Sequence, residues 1–304
     1  MNAQVTIGSM TMQNPVGVAS GTFGYGSEYE TLIDIDKLGA LYTKAVTPEP
    51  RAGNRTPRLA ETPSGMLNSI GLANPGLDYF VAKKLAELRR FRCSVIVNVA
   101  GKTEADYRLV LETLEAEDGI DGYEINISCP NVAHGGLAFG TDTATVERLT
   151  KELRAVQDEA HRSGKRARRP LIVKLSPNVT DITEIARAAE AGGADAVSAI
   201  NTLVGMVIDV KKKRPVLAMK TGGLSGPAVR PVGVAAVYRI HRAVKIPVIG
   251  IGGITCADDA LQYLLAGADA VQVGTALFSA PEAPLEVVSR SEEHTSELQS
   301  PNTI

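Results

Sequence analysis

Five polar residues stand at the ends of short apolar runs: Lys44, Asn98, Asn126, Lys174 and Asn201. A buried strand should not end in an uncompensated ammonium or amide. A single such residue reads as a satisfied cap or a lysine whose stem lies along apolar surface. Five at successive run ends read instead as a ring of donors directed into one cavity. Two ammonium groups and several amides suit a polyanionic, carbonyl-rich ligand.

Glycines supply a second signal. Gly250-Ile251-Gly252-Gly253-Ile254-Thr255 follows one apolar run and Gly274-Thr275 follows the next. Glycine lets backbone N–H groups approach a phosphate, and an adjoining helix N-terminus adds positive dipole. Ser225-Gly226 in TGGLSGP can close the same pocket. The plain alternative is that these glycines only make tight turns. A flavin with its phosphate, together with an acidic heterocyclic substrate, would use the ring and the glycines. No G-x-G-x-x-G stands at a strand–helix junction and no G-x-S-x-G elbow occurs, so a Rossmann nicotinamide site and a serine hydrolase lack support.

Cys129 lies three residues after Asn126 in NISCPN, before the glycine-rich stretch VAHGGLAFG. A free cysteine is ordinarily a small buried hydrophobe, which is the reading for Cys93 and Cys256. Cys129 differs because a proline and a candidate lid follow it, and it suits a base or a nucleophile. His134 in that lid reads as solvated rather than as a dyad partner. The basic runs 161–169 and 211–214 read as solvated loops.

The elements that must position these residues follow from periodicity. Apolar runs at 15–19, 40–43, 94–99, 123–127, 171–175, 196–200, 247–250 and 270–273 lack alternation, as parallel strands buried on both faces do. Amphipathic stretches at 77–90, 103–117, 143–162, 182–191, 233–244 and 257–266 lie between them. Thr180 or Asp181 offers a helix start, and Gly192 and Gly267 offer stops. Eight strands alternating with helices in about 280 residues predict an α/β fold, a closed (β/α)8 TIM barrel rather than a doubly wound sheet. Residues 5–12 read as an N-terminal β-hairpin plugging the barrel bottom. Two insertions, 46–76 and 203–231, fall at the C-terminal face; the second holds a predicted hairpin, 206–210 with 215–219, around a basic turn. Long loops there are usually functional.

Composition narrows the class. The chain has 304 residues, 44% hydrophobic and 22% charged, with net charge −2. Such a balance argues against nucleic-acid binding. No apolar run reaches the roughly 18 residues of a membrane span, and the N-terminus carries no secretory pattern. Three scattered cysteines form no CxxC pair, so neither a disulfide framework, an iron–sulfur site nor another metal centre is expected here. A reduced, cytoplasmic location is the simplest reading. Residues 1–290 read as one domain. Residues 291–304 are polar and aperiodic, and RSEEHTSELQS resembles a translated sequencing-adapter oligonucleotide, so the tail is expected to be non-native.

The segments SGTFGYG, TKAVTPEPRAGNRTPRLAETPSGMLNSIGLANPG, NISCPNV, GGLAFGTD, VKLSPNV, NTLVGMVID, KTGGLSGPA, GIGGI and VGTALF together resemble dihydroorotate dehydrogenase. They span almost all of residues 1–288. Cysteine in ISCPN resembles class 1, and GGLAFGTD with IDVKKKRPVLAMKTGGLSGPA resembles the class 1B catalytic subunit. The resemblance implies FMN at the C-terminal face, contacted by Ser20, Lys44, Ala45, Asn98, Asn126, Lys174, Ile200, Gly226, Gly252, Gly253, Gly274 and Thr275. It implies a substrate pocket formed by Lys44, Asn68, Ser69, Ile70, Gly71, Leu72, Asn126, Asn201 and Thr202, with Cys129 as the base. The implied reaction oxidises (S)-dihydroorotate to orotate in pyrimidine (UMP) biosynthesis, with hydride passing to FMN. Electrons then reach NAD+ through a partner subunit carrying FAD and an iron–sulfur cluster, on a homodimer core. The alternatives are a class 1A-like, fumarate-using or dihydropyrimidine-type FMN dehydrogenase, a non-redox phosphate-binding barrel enzyme, and an inactive truncated product.

Overall fold

Eight runs of Val, Ile, Leu and Ala pair side by side because none has a polar face to give to water. They are β1 (Val16–Val18), β2 (Ala40–Tyr42), β3 (Ser94–Val99), β4 (Gly122–Asn126), β5 (Leu171–Lys174), β6 (Ala196–Ala199), β7 (Val248–Ile251) and β8 (Ala270–Val273). Each pairs in parallel with the next, and β8 returns to β1, closing a barrel. All eight predicted runs are barrel strands, with ends shifted by a residue or so. The computed structural model describes residues 4–128, 130–131, 137–162 and 167–294.

Five helices follow the predicted pattern, α1 (Glu104–Glu115), α2 (Thr143–Ala160), α3 (Ile182–Ala191), α4 (Arg230–His241) and α5 (Ala257–Leu265), and α6 (Ala283–His294) lies beyond the last predicted stretch. The start of α1 is a capping box, in which Thr103 Oγ1 accepts from Asp106 N at 3.2 Å while Asp106 Oδ2 accepts from Thr103 N at 3.3 Å. Such caps satisfy amides that the first turn leaves without partners. For α3 the cap is Asp181, which accepts from Thr183 N at 2.9 Å. Helix α4 begins three residues before its predicted start, because Pro231 is tolerated in a first turn. Residues 77–88 are helical but interrupted by a π turn over Phe80–Lys84. Helix α6 runs to His294, four residues into the segment set apart as the tail; residues 295–304 lie outside the described residues.

Alternate residues of each strand face the barrel interior, in layers drawn from even and odd strands in turn. At the bottom Ala40, Ala196 and Ala270 pack with Ile96, Ile172 and Ile249 against Ile7, Met10 and Met12 of the N-terminal hairpin. The hairpin pairs Val5–Ile7 with Met10–Met12 and forms the predicted plug. Gly17 keeps the odd-strand layer open, since a Cβ there would stand 2.9 Å from Tyr42 Cε2. The next layer up comes from the even strands: Tyr42, Glu124, Ser198 and Gln272, all buried. Above it stand Ala19, Asn98, Lys174 and Ile251, then Lys44, Asn126, Ile200 and Gly274, all facing one cavity. The barrel is thus apolar at its base and polar at its top.

Two sequence expectations are corrected. Arg169 is not in a solvated loop. It is buried, and its guanidinium donates to the carbonyls of Leu114 and Glu117 and to Tyr123 Oη; His161 lies 3.0 Å from Glu115. Cys256 is exposed at the start of α5, whereas Cys93 is buried as expected.

Candidate active site

The strand ends deliver their side chains to a cavity of about 510 Å³ at the C-terminal face. That size falls within the ~300–1,000 Å³ typical of ligand and cofactor sites. Ser20, Lys44, Ala45, Asn98, Asn126, Lys174 and Ile200 line its floor and walls, and Gly226, Gly252, Gly253, Gly274 and Thr275 line one end. Asn68, Ser69, Ile70, Gly71, Leu72, Asn201 and Thr202 line the other. All residues of both expected sets therefore meet in one place, apart from Cys129. That residue, His134 and the rest of 132–136 lie outside the described residues.

The glycine end is shaped by close approach. Gly226 has φ +92° and Gly253 φ +68°. A Cβ on Gly226 would stand 2.7 Å from Gly65 Cα, and one on Gly253 2.8 Å from Gly226 O. Side chains at either position would collide with the neighbouring chain and push the loop out of place. Thr275 Oγ1 and Ser225 Oγ, 2.9 Å apart, add hydroxyl donors. Gly226→Ala is expected to keep the fold and weaken retention of a phosphate-bearing ligand. The positive φ alone costs a non-glycine residue about 1–2 kcal/mol, and relief of the clash moves the loop out of the cradle. Titration with such a ligand should show roughly tenfold weaker binding.

An antiparallel sheet of four short strands covers the cavity and runs into the glycine end at Gly226: Leu203–Gly205, Gly222–Ser225, Gly65–Asn68 and Leu59–Thr62. It joins the two insertions. The predicted hairpin shrinks to a pair, Ile208–Asp209 with Arg214–Pro215. Asn68 Nδ2 donates to Gly223 O at 3.4 Å, which ties the substrate-side loop to the roof. Gly71 (φ +76°) and Leu72 (φ +56°) turn the chain so that 69–72 reaches the cavity. Asn201 Nδ2 donates to Ser128 Oγ at 2.8 Å, and Ser128 N donates to Asn126 Oδ1 at 3.3 Å. These bonds hold the residue preceding Cys129 against two cavity-lining asparagines.

Beneath the floor lies a group the sequence reading missed. Glu124 is fully buried. Its Oε2 accepts from Asn98 Nδ2 at 2.6 Å and lies 3.3 Å from Lys174 Nζ; its Oε1 accepts from Ser198 Oγ and Gln272 Nε2, both at 3.0 Å. Burial would push its carboxyl up, but the Lys174 ammonium and the bonds from Gln272, Asn98 and Ser198 outweigh it and hold the group below its ordinary value. Ser20 Oγ accepts from Lys174 at 3.1 Å and from Asn98 at 3.2 Å. Glu124 was legible: it stands two residues before Asn126 within an apolar run, where a charge demands a partner. Ser225 lines the cavity as expected, whereas Arg58, Leu59, Met66, Leu224 and Phe278, also cavity-lining, were missed; Arg58, Leu59, Met66 and Leu224 belong to the insertions.

The fold and cavity define a class: a (β/α)8-barrel enzyme whose C-terminal mouth joins a glycine cradle to a ring of ammonium and amide groups. A family model described as dihydroorotate dehydrogenase matches residues 2–293. The chain is 51% identical over 297 residues to the dihydroorotate dehydrogenase B (NAD(+)) catalytic subunit of Desulforamulus reducens, covering 98% of this chain and 94% of the relative. It is 52% identical over 293 residues to the same-named subunit of Lachnoclostridium phytofermentans, covering 96% of this chain and 94% of that one. The crystal structure of DHODH from Eimeria tenella with ferulenol shares the fold, with TM-score 0.81 and 24% identity over 98% of this chain and 85% of that one. The chain belongs to the dihydroorotate dehydrogenase family and is an oxidoreductase. The family is flavin-dependent. Among the described residues, no helix is long and apolar enough to cross a membrane.

Proposed function

We propose that this chain is the FMN-binding catalytic subunit of a class 1B enzyme that oxidises (S)-dihydroorotate to orotate in pyrimidine biosynthesis. The observation that carries this reading is the convergence of the cofactor and substrate sets on one cavity. The cavity suits FMN in three ways. Gly226 and Gly253 of its glycine cradle have no room for a Cβ, Lys44 and Lys174 supply cations beside it, and the buried Asn98 keeps a carbonyl oxygen without a partner among the described residues. When bound, FMN supplies the hydride acceptor.

The chain's own residues do the rest. Cys129, the next residue in sequence after Ser128, takes the proton from substrate C5. Asn68, Asn126 and Asn201 donate to the ring carbonyls and carboxylate, fixing the ring and favouring the charge that develops there. Ser69, Ile70, Gly71, Leu72 and Thr202 enclose the pyrimidine, and the roof sheet excludes water. Electrons leave through a partner subunit that carries FAD and an iron–sulfur cluster and reduces NAD+, on a core of two copies of this chain in the cytoplasm.

Reoxidation tests the electron path. Protein reduced by dihydroorotate is expected to be reoxidised by NAD+ only with the partner subunit present. Rapid reoxidation of the chain alone by fumarate would overturn the class 1B assignment.

A further inference from the structure

The carboxylate of Glu124 has the contacts of an organising centre. It is fully buried in the barrel layer directly beneath the cavity floor, and it faces donors from four other strands: Asn98, Lys174, Ser198 and Gln272. An ionised carboxylate accepts and cannot donate. The Asn98 group that meets it at 2.6 Å is therefore the amide NH2, whichever way the side chain would otherwise turn. The same NH2 also reaches Ser20 Oγ. The Asn98 carbonyl oxygen is left buried, without a hydrogen-bond partner among the described residues, in a side chain that lines the cavity. Lys174 is held beside it by the same carboxylate and the same serine, at 3.3 and 3.1 Å. The floor thus presents one acceptor next to one cationic donor, the complement of an imide edge in which N–H stands beside C=O.

We propose that Glu124 is a positioning residue that fixes the hydrogen-bond polarity of this floor, turning Asn98 to receive a ligand N–H and steering Lys174 to the adjoining carbonyl. The proposal rests on the flavin reading of the cavity and assigns to Glu124 the selection of the flavin's imide edge. It has an electrostatic counterpart. Glu124 cancels the Lys174 charge, so the cavity carries less positive field than the lysine alone would create. An unpaired cation in such a dry site would favour the reduced, anionic cofactor more strongly.

The test compares FMN with its N3-methylated analogue, which lacks the imide N–H, binding each to apoprotein. Wild type is expected to bind FMN at least tenfold tighter than the methylated analogue. Glu124→Gln, whose amide can donate to Asn98 and reverse it, is expected to lose most of that preference. It is also expected to shift the bound-flavin potential upwards, with thermal stability recorded alongside. If Glu124→Gln does not fold, the wild-type preference alone decides, because equal affinity for the two flavins contradicts an acceptor facing the N–H. Unchanged preference and potential in a folded Glu124→Gln protein would overturn the positioning role. Failure of wild type to bind either flavin would instead overturn the flavin reading.

Discussion

Cys129→Ser is expected to retain FMN and orotate and to lose about 10²- to 10⁴-fold in flavin reduction by dihydroorotate at neutral pH, the usual contribution of general acid–base catalysis. A serine hydroxyl keeps nearly the shape of the thiol. Its pKa, however, lies far above the roughly 8.5 of a free cysteine, so it is a much weaker acceptor for the C5 proton. Below the roughly 8.5 of a free cysteine, pH raises the deprotonated fraction of thiol and hydroxyl alike, so the loss should stay steady there and shrink only above it. Stopped-flow reduction across pH 6–9, with orotate binding measured in parallel, separates a lost base from a damaged pocket. Near-wild-type reduction would remove Cys129 from the chemistry.

Lys174→Ala should do the most damage to the folded state. It leaves Glu124 as a fully buried carboxylate without its counter-charge. Breaking a buried pair by removing one partner typically costs about 3–5 kcal/mol. In the wild type the folded-state value of Glu124 is lowered. Its stabilising contribution is therefore present above the unfolded value of about 4.3 and is lost as pH falls through the lower folded value. In the variant the balance reverses, because burial without Lys174 raises the carboxyl. The deficit relative to wild type should then be full near pH 8 and narrow as the pH is lowered and Glu124 takes up a proton. Urea unfolding at pH 5.5 and 8 reads this directly; an equal deficit at both would mean that the pair is not coupled as the geometry requires. The same variant should hold FMN more weakly and at a lower potential, opposite in sign to Glu124→Gln.

The strands were legible because each is mostly apolar with no alternating polar face, a pattern that length and flanking glycines distinguish from helix. The cavity ring was legible for a related reason: Lys44, Asn98, Asn126 and Lys174 are polar residues where apolar runs end. Glu124, Ser198 and Gln272 were passed over because they lie one inward-facing step deeper, inside runs read as uniformly apolar. Their partners are on other strands, and Glu124 and Gln272 are 148 residues apart. The roof sheet was hidden for the same reason. Gly65–Asn68 finds its partner Gly222–Ser225 far along the chain, and neither carries a hydrophobic period of its own. Arg169 was misread because its sequence neighbours are basic and polar. Its acceptors, the carbonyls of Leu114 and Glu117 and the hydroxyl of Tyr123, come from other elements. Local sequence reports what a segment must bury; it does not report which distant group makes that burial possible.

The most direct test of the central claim is anaerobic titration of the FMN-loaded protein with (S)-dihydroorotate. The account predicts that the oxidised flavin absorbance bleaches with about one equivalent of orotate formed per flavin. An unchanged flavin spectrum at saturating dihydroorotate would contradict it.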